Sequence, residues 1–223
     1  MSRSGVLLAV LVATIGQTQA TSITVKELSV NPAKIVNITI TGGNFGSGRS
    51  TYSGNAYAGV VNILADGTAM DAFCIDPFHF SSYSSLNYNV VDLQEAPKDG
   101  LIYDGPMGAT AADKISRLWA MAYSPTLSPL NAAALQLAIW EVVGGDYFKW
   151  NDPTPYVFDV YEEAQALLNR LPGQTTSADL VALKSVDQRG QDYVVARVPD
   201  GGATAALLGF GLLGLSLIRR KLS

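Results

Sequence analysis

Apolar and polar residues alternate with period two at both ends of the chain and recur at helical spacing in its middle. Ile23 and Val25, then Ile35 to Thr41, set β-branched residues against polar ones, which predicts two strands with Pro32 between them. Gly42 to Ser50 reads as a loop, because no Walker lysine and no helix follow its glycines. The clearest hairpin runs from Tyr57 to Leu64, through Asp66-Gly67, and back along Thr68 to Ile75. Asp-Gly supplies the positive backbone angles that a tight turn needs. A further strand is expected at Tyr88 to Leu93. The period then changes. Ala111 to Tyr123 places Ile115, Leu118, Trp119 and Ala122 on one helical face, with Thr110 as the expected cap. A second helix carries Gln136 and ends at Gly144-Gly145, and a third is expected over Tyr156 to Leu171. Strand patterns return at Leu180 to Val186 and Asp192 to Val198.

Strands, helices, then strands predict an α+β fold: a β-sandwich or barrel with a helical insertion packed against it. No internal repeat is visible. The length, 223 residues, fits one domain plus processing signals. Hydrophobic residues at 48% and charged ones at 15% describe an ordered globular chain. Lys and Arg form no cluster before the extreme C-terminus, so nucleic acid is not an expected partner.

Both ends read as targeting segments. Arg3, the apolar run Gly5 to Ile15 and Thr18-Gln19-Ala20 have the order of a secretory signal peptide, residues 1–20, ending at a small-residue cleavage site. At the other end Val198-Pro199-Asp200-Gly201-Gly202 precedes a largely apolar stretch of sixteen residues from Ala203 to Ile218, followed by Arg219-Arg220-Lys221. That stretch is near spanning length, and the charge after it predicts a cytoplasmic end. Residues 198–223 resemble the PEP-CTERM class of sorting signals, most closely its VPDSG variant, with Gly201 where the variant has serine. The resemblance implies processing by an exosortase-like membrane protease. An unprocessed transmembrane anchor is the alternative. Residues 21–197 carry 11 basic and 18 acidic side chains, a formal charge of −7, so the exported part is acidic.

The helix around Gln136 is the most unusual stretch. Ala132 to Val143 is apolar except for Gln136 and Glu141, and Gln136 shares a face with Ala132, Ile139, Trp140 and Val143. An amide buried there needs a partner, since leaving it unpaired costs roughly 1–3 kcal/mol. Ala72-Phe73-Cys74-Ile75-Asp76, at the end of the return strand of the hairpin, holds the one cysteine of the chain. Phe73-Cys74-Ile75-Asp76 followed by Leu135-Gln136-Leu137-Ala138-Ile139-Trp140 resembles the paired signature of the bacterial Cys-Gln thioester domains of surface adhesins. That resemblance implies an internal thioester between Cys74 and Gln136, formed with loss of ammonia and lying between the β part and the helices. Phe73, Ile75, Ile139 and Trp140 are apolar and suited to shield such a bond from water.

Other chemistry is sparse. His79 is the one histidine, which excludes a multi-histidine zinc site, and it reads as a surface or loop residue. Asp76, Asp99, Asp104, Asp146 and Asp152 are scattered, and no glycosidase or calcium-loop spacing unites them. No metal and no cofactor are called for. The reading that follows is an exported cell-surface or matrix-associated adhesion protein. It reacts covalently with an amine-bearing target, once, and so is not an enzyme. The alternative is a non-covalent structural or carbohydrate-binding exoprotein with the same sorting tail, and a Cys74 hydrolase stands third.

Overall fold

A computed structural model describes residues 21–45, 48–96, 105–151, 157–187 and 189–198. The expected signal peptide, Pro199 to Gly202 of the sorting motif, the apolar tail, Asp99, Asp104 and Asp152 lie outside the described residues.

The strands are β1 (Thr21–Thr41), β2 (Thr51–Ala65), β3 (Thr68–Cys74), β4 (Leu86–Asp92), β5 (Phe148–Trp150), β6 (Leu180–Ser185) and β7 (Tyr193–Ala196). The helices are α1 (Gly108–Ala122), α2 (Pro129–Gly144) and α3 (Phe158–Arg170). The fold is mixed α+β, with one seven-stranded sheet whose pairings are all antiparallel. The ladder runs β1–β2–β3–β7–β6–β4 and returns to β1, because β1 pairs β4 over Thr21 to Val25 and β2 from Val25 onward. Six strands therefore close a barrel at one end, where β1 pairs both β4 and β2. The seventh, β5, continues the sheet beyond β1 at Ile38 to Ile40.

One strand serves where Pro32 suggested two. β1 passes through Pro32 without ending, and the register with β2 slips between Glu27 and Ser29 and between Val30 and Ala33. A bulge absorbs the proline's missing N–H, which periodicity alone reads as a break. The expected cap Thr110 lies inside α1, which starts at Gly108. The cap on α2 is Ser128, whose side chain accepts from the Asn131 N–H at 3.2 Å. The Asp-Gly turn is as expected, with Asp66 at φ 46° and Gly67 at φ 82°.

Strand alternation divides the apolar residues between two cores. Val25, Val61, Ile63, Ala72, Tyr88, Leu183 and Tyr193 belong to the barrel interior. Ala58, Val60, Val36, Ile38 and Ile40, on the opposite parity, meet the helices. Between sheet and helices lies α2, in contact with α1, α3, β1 and β2, and every residue from Ala132 to Trp140 is buried. A helix covered on all sides has no polar face, which is why its sequence is apolar all round.

At Gly59 the backbone of β2 lies close against that of β1. A Cβ there would stand 2.2 Å from the Pro32 carbonyl oxygen and 2.7 Å from Ala33 Cα, both backbone atoms. Gly59→Ala is expected to cost about 1–3 kcal/mol by overpacking. The thermal midpoint would fall by about 2–4 °C for each kcal/mol. An unchanged midpoint would show that the strands part freely at this point.

Candidate functional site

Cys74 is the last residue of β3, paired with Tyr193 of β7 on one side. On the other side the β2–β3 ladder stops at Val61 and Ala72. The N–H and C=O of a strand residue point to the same edge, so both groups of Cys74 face the gap that β2 leaves. Gln136 of α2 fills it. The Cys74 N–H donates to Gln136 Oε1 at 2.9 Å, and Gln136 Nε2 donates to the Cys74 carbonyl at 2.8 Å. The carboxamide thus acts as one more strand residue, exchanging both bonds with Cys74 across 62 positions of sequence. Cys74 and Gln136 are both buried.

The thiol sits where a negative charge is costly. Burial pushes the Cys74 thiol well above its usual range, and the nearby Asp76 charge pushes it further. The Trp140 indole is a weak donor toward the sulfur, and its Nε1 has no conventional hydrogen-bond acceptor. Of the four apolar residues expected around the pair, Trp140 lines the adjoining cavity, while Phe73, Ile75 and Ile139 are fully buried. Phe73 stacks edge-on against Trp119 and Tyr123, at 5.4 and 6.3 Å between ring centres, on the helical side of the strand.

The cavity, about 250 Å³, brings Cys74, Gln136 and Trp140 together with residues that have no obvious motif. Glu27 reaches it from β1. Tyr193 Oη donates to Glu27 Oε2 at 2.8 Å, and Oε1 has no partner. His79 reaches it from the loop after β3. That imidazole is 5% exposed, which corrects the expectation of a surface residue. Its Nδ1 lies 2.8 Å from Asp76 Oδ2, while Asp76 Oδ1 accepts from the Phe78 N–H at 3.1 Å. Burial works against a charged imidazole, but the hydrogen bond and charge of Asp76 outweigh it, and the His79 pKa is raised. Phe45, Tyr52 and Phe80 close one side as a three-ring cluster with centres 5.2–5.7 Å apart. Beside them, Phe80 and Tyr83 are exposed at the rim.

Three of these residues left a trace in the sequence. Asp76 and His79 are three apart across a proline, a spacing that lets a carboxylate and an imidazole meet in one turn. Glu27 follows Val25 at the same strand parity, so an acid falls where an apolar residue is expected. Burial raises the Glu27 pKa and the Tyr193 hydrogen bond offsets only part of that. The folded state therefore prefers the neutral acid, and this contribution to stability is present at acid pH and lost as pH rises through the folded pKa. In Glu27→Gln, neutral at every pH, that loss should vanish. The variant's midpoint relative to wild type should rise between about pH 4 and pH 8. Parallel curves would show that Glu27 ionises freely.

Among the described residues, no group of three His, Cys, Asp or Glu side chains is placed to hold a metal ion, and no helix is long and apolar enough to cross a membrane. Beyond β7, Arg197 Nε donates to Asp179 Oδ1 at 2.9 Å, and Val198, the first residue of the sorting motif, is 69% exposed.

Residues 197–222 match the VPDSG-CTERM motif. No curated protein matches the chain. Among solved structures, the chain is similar to the N-terminal domain of the Streptococcus pyogenes pilus tip adhesin Cpa, with 16% identity, 77% of this chain and 97% of that one covered, and a TM-score of 0.43. It is also similar to the N-terminal thioester domain of a surface protein from Clostridium perfringens, at 11% identity, 74% and 99% coverage and a TM-score of 0.39. The thioester domain of the Staphylococcus aureus TIE protein matches at 13% identity, with 79% and 78% covered and a TM-score of 0.40.

Proposed function

We propose that this chain is an exported cell-surface or matrix-associated adhesion protein, in which Cys74 and Gln136 condense to an internal thioester that acylates an amine on its target. One observation carries the reading: the carboxamide of Gln136 is clamped by two hydrogen bonds onto the backbone of the residue that bears the thiol. The electrophilic carboxamide is thereby held on the residue that bears the nucleophile without a third component, and well-oriented intramolecular pairs reach effective molarities on the order of 10⁵ M or more.

The clamp also distributes the chemistry. Cys74 Sγ attacks Gln136 Cδ, the C–N bond breaks, and Nε2 leaves as ammonia with the thiol proton. As charge develops on Oε1, the Cys74 N–H is already 2.9 Å away, within the range of an oxyanion donor. When a target amine attacks the same carbon, the C–S bond breaks, the amide forms on Gln136, and Cys74 returns as a thiol. One equivalent of target is consumed per chain, so the protein is a reagent rather than an enzyme. Burial of the pair among Trp140, Phe73, Ile75 and Ile139 limits competing hydrolysis.

The sorting match at 197–222 supports export, with an exosortase-like protease as processing partner and the membrane as a transient or permanent anchor for the tail. The same clamp serves the second reading, a non-covalent binding protein, because the intact amide already satisfies both backbone groups of Cys74. Intact mass separates the two. Protein purified without reducing agent is expected one ammonia lighter than its sequence, and methylamine should replace the deficit by one methylamine adduct. A full mass with a titratable thiol would overturn the covalent reading and leave the non-covalent one.

A further inference from the structure

We propose that His79, oriented by Asp76, is the proton carrier for acyl transfer at the Cys74–Gln136 pair: it takes a proton from the incoming amine and delivers one to the departing Cys74 sulfur. The proposal rests on the thioester reading above and adds a residue to it.

Three observations converge. His79 lines the cavity shared with Cys74 and Gln136, although it is almost wholly buried. Its two nitrogens are unequal. Nδ1 is held by Asp76 at 2.8 Å, whereas Nε2 is buried with no partner. A carboxylate on Nδ1 keeps the proton there, so Nε2 of the neutral ring is a lone-pair acceptor. A buried ring nitrogen without a partner is costly to the fold, and proton transfer at the cavity gives it a use. The loop is fixed from behind, since Gln191 Nε2 donates to the His79 carbonyl at 2.6 Å and the Gln191 carbonyl accepts from Tyr88 Oη at 3.0 Å.

The third observation is the sulfur itself. Burial and Asp76 make the Cys74 thiolate unfavourable, so a thioester here would expel a poor leaving group unless a proton arrives as the C–S bond breaks. The balanced step is a neutral amine plus the thioester giving an amide on Gln136 and a thiol on Cys74. The amine's N–H proton goes to His79 Nε2, and the same nitrogen returns a proton to Sγ. Nothing else is consumed. The charged groups acting on the ring are Asp76 on its own loop and Asp192 before β7, and Glu27 of β1 and Cys74 line the same cavity. Asp76 and Asp192 both favour the imidazolium, so the base form is expected to prevail only above the ordinary histidine value of about 6.5.

The test follows methylamine addition to the full chain by mass, with rate constants expressed per free-base amine. The wild-type rate should rise with pH through one ionisation above about 6.5. His79→Gln should retain the ammonia deficit yet react about 10²-fold more slowly or worse, without that ionisation. His79→Ala should be slow likewise and accelerate when free imidazole is added, which a merely structural role would not produce. A pH-independent wild-type rate, or a His79→Gln rate within a few-fold of wild type, overturns the proposal. A His79→Gln chain that folds and lacks the deficit also overturns it as a step confined to transfer. A wild-type chain with no deficit fails the thioester reading first, and that failure is read from mass alone before any rate is measured.

Discussion

Cys74→Ala and Gln136→Glu are expected to abolish amine incorporation equally and to differ sharply in stability. Each removes one half of the acyl exchange, so both chains should show full sequence mass and no methylamine adduct. The clamp, however, is made to the backbone of Cys74, not to its sulfur. Cys74→Ala keeps both hydrogen bonds and loses one buried sulfur. Gln136→Glu puts a carboxylate oxygen where Nε2 donated, 2.8 Å from a carbonyl that can only accept, at a position that is 1% exposed. Leaving a buried acceptor unsatisfied costs about 1–3 kcal/mol, and more where a charge is involved. The thermal midpoint of Gln136→Glu should therefore fall several degrees below that of Cys74→Ala, by about 2–4 °C per kcal/mol. Equal midpoints would mean that the clamp contributes nothing to the fold, and amine incorporation by either variant would remove Cys74 and Gln136 from the chemistry.

Trp140→Ala should have the second large effect, on the lifetime of the bond as well as on stability. The indole is 5% exposed, packs 6.0 Å from Phe148 between ring centres, and lines the cavity beside Cys74 and Gln136. Truncation of a buried tryptophan costs about 3–5 kcal/mol through lost burial and the space left behind. The enlarged cavity should admit water to Gln136 Cδ. In a mass time course the ammonia deficit of the variant should give way to a product one water heavier than the thioester form, in a time over which wild type is unchanged. A deficit as durable as that of wild type would assign the shielding to residues other than Trp140.

The sequence made much of this legible for a local reason. A hairpin turn is encoded by two adjacent residues, Asp66 and Gly67, and a buried helix by a dozen neighbours of one polarity, so both could be placed without the rest of the fold. Gln136 stood out because an amide amid such residues contradicts its surroundings. β5, three residues long, was not foreseen, since Phe148 to Trp150 is too short to show a period and pairs only because β1 runs past it. The burial of His79 was missed for a similar reason. A histidine in a loop is ordinarily solvated, and only the packing of the Gln191 segment and Asp76 around it makes it part of the interior.

The sequence by itself determined the period of each element, the position of the tight turn, the strand–helix–strand order and the two residue types able to form a thioester. Tertiary structure decided which of them meet. β1 closes the barrel only because its two halves find different neighbours, β4 and β2. Gln136 reaches Cys74 only because the β2–β3 pairing ends two residues short of it, at Ala72, and leaves one N–H and one C=O of Cys74 to α2. Glu27, Asp76 and His79 gain their roles from the same event, since an unpaired polar atom has chemical meaning only once burial has removed the water that would otherwise satisfy it.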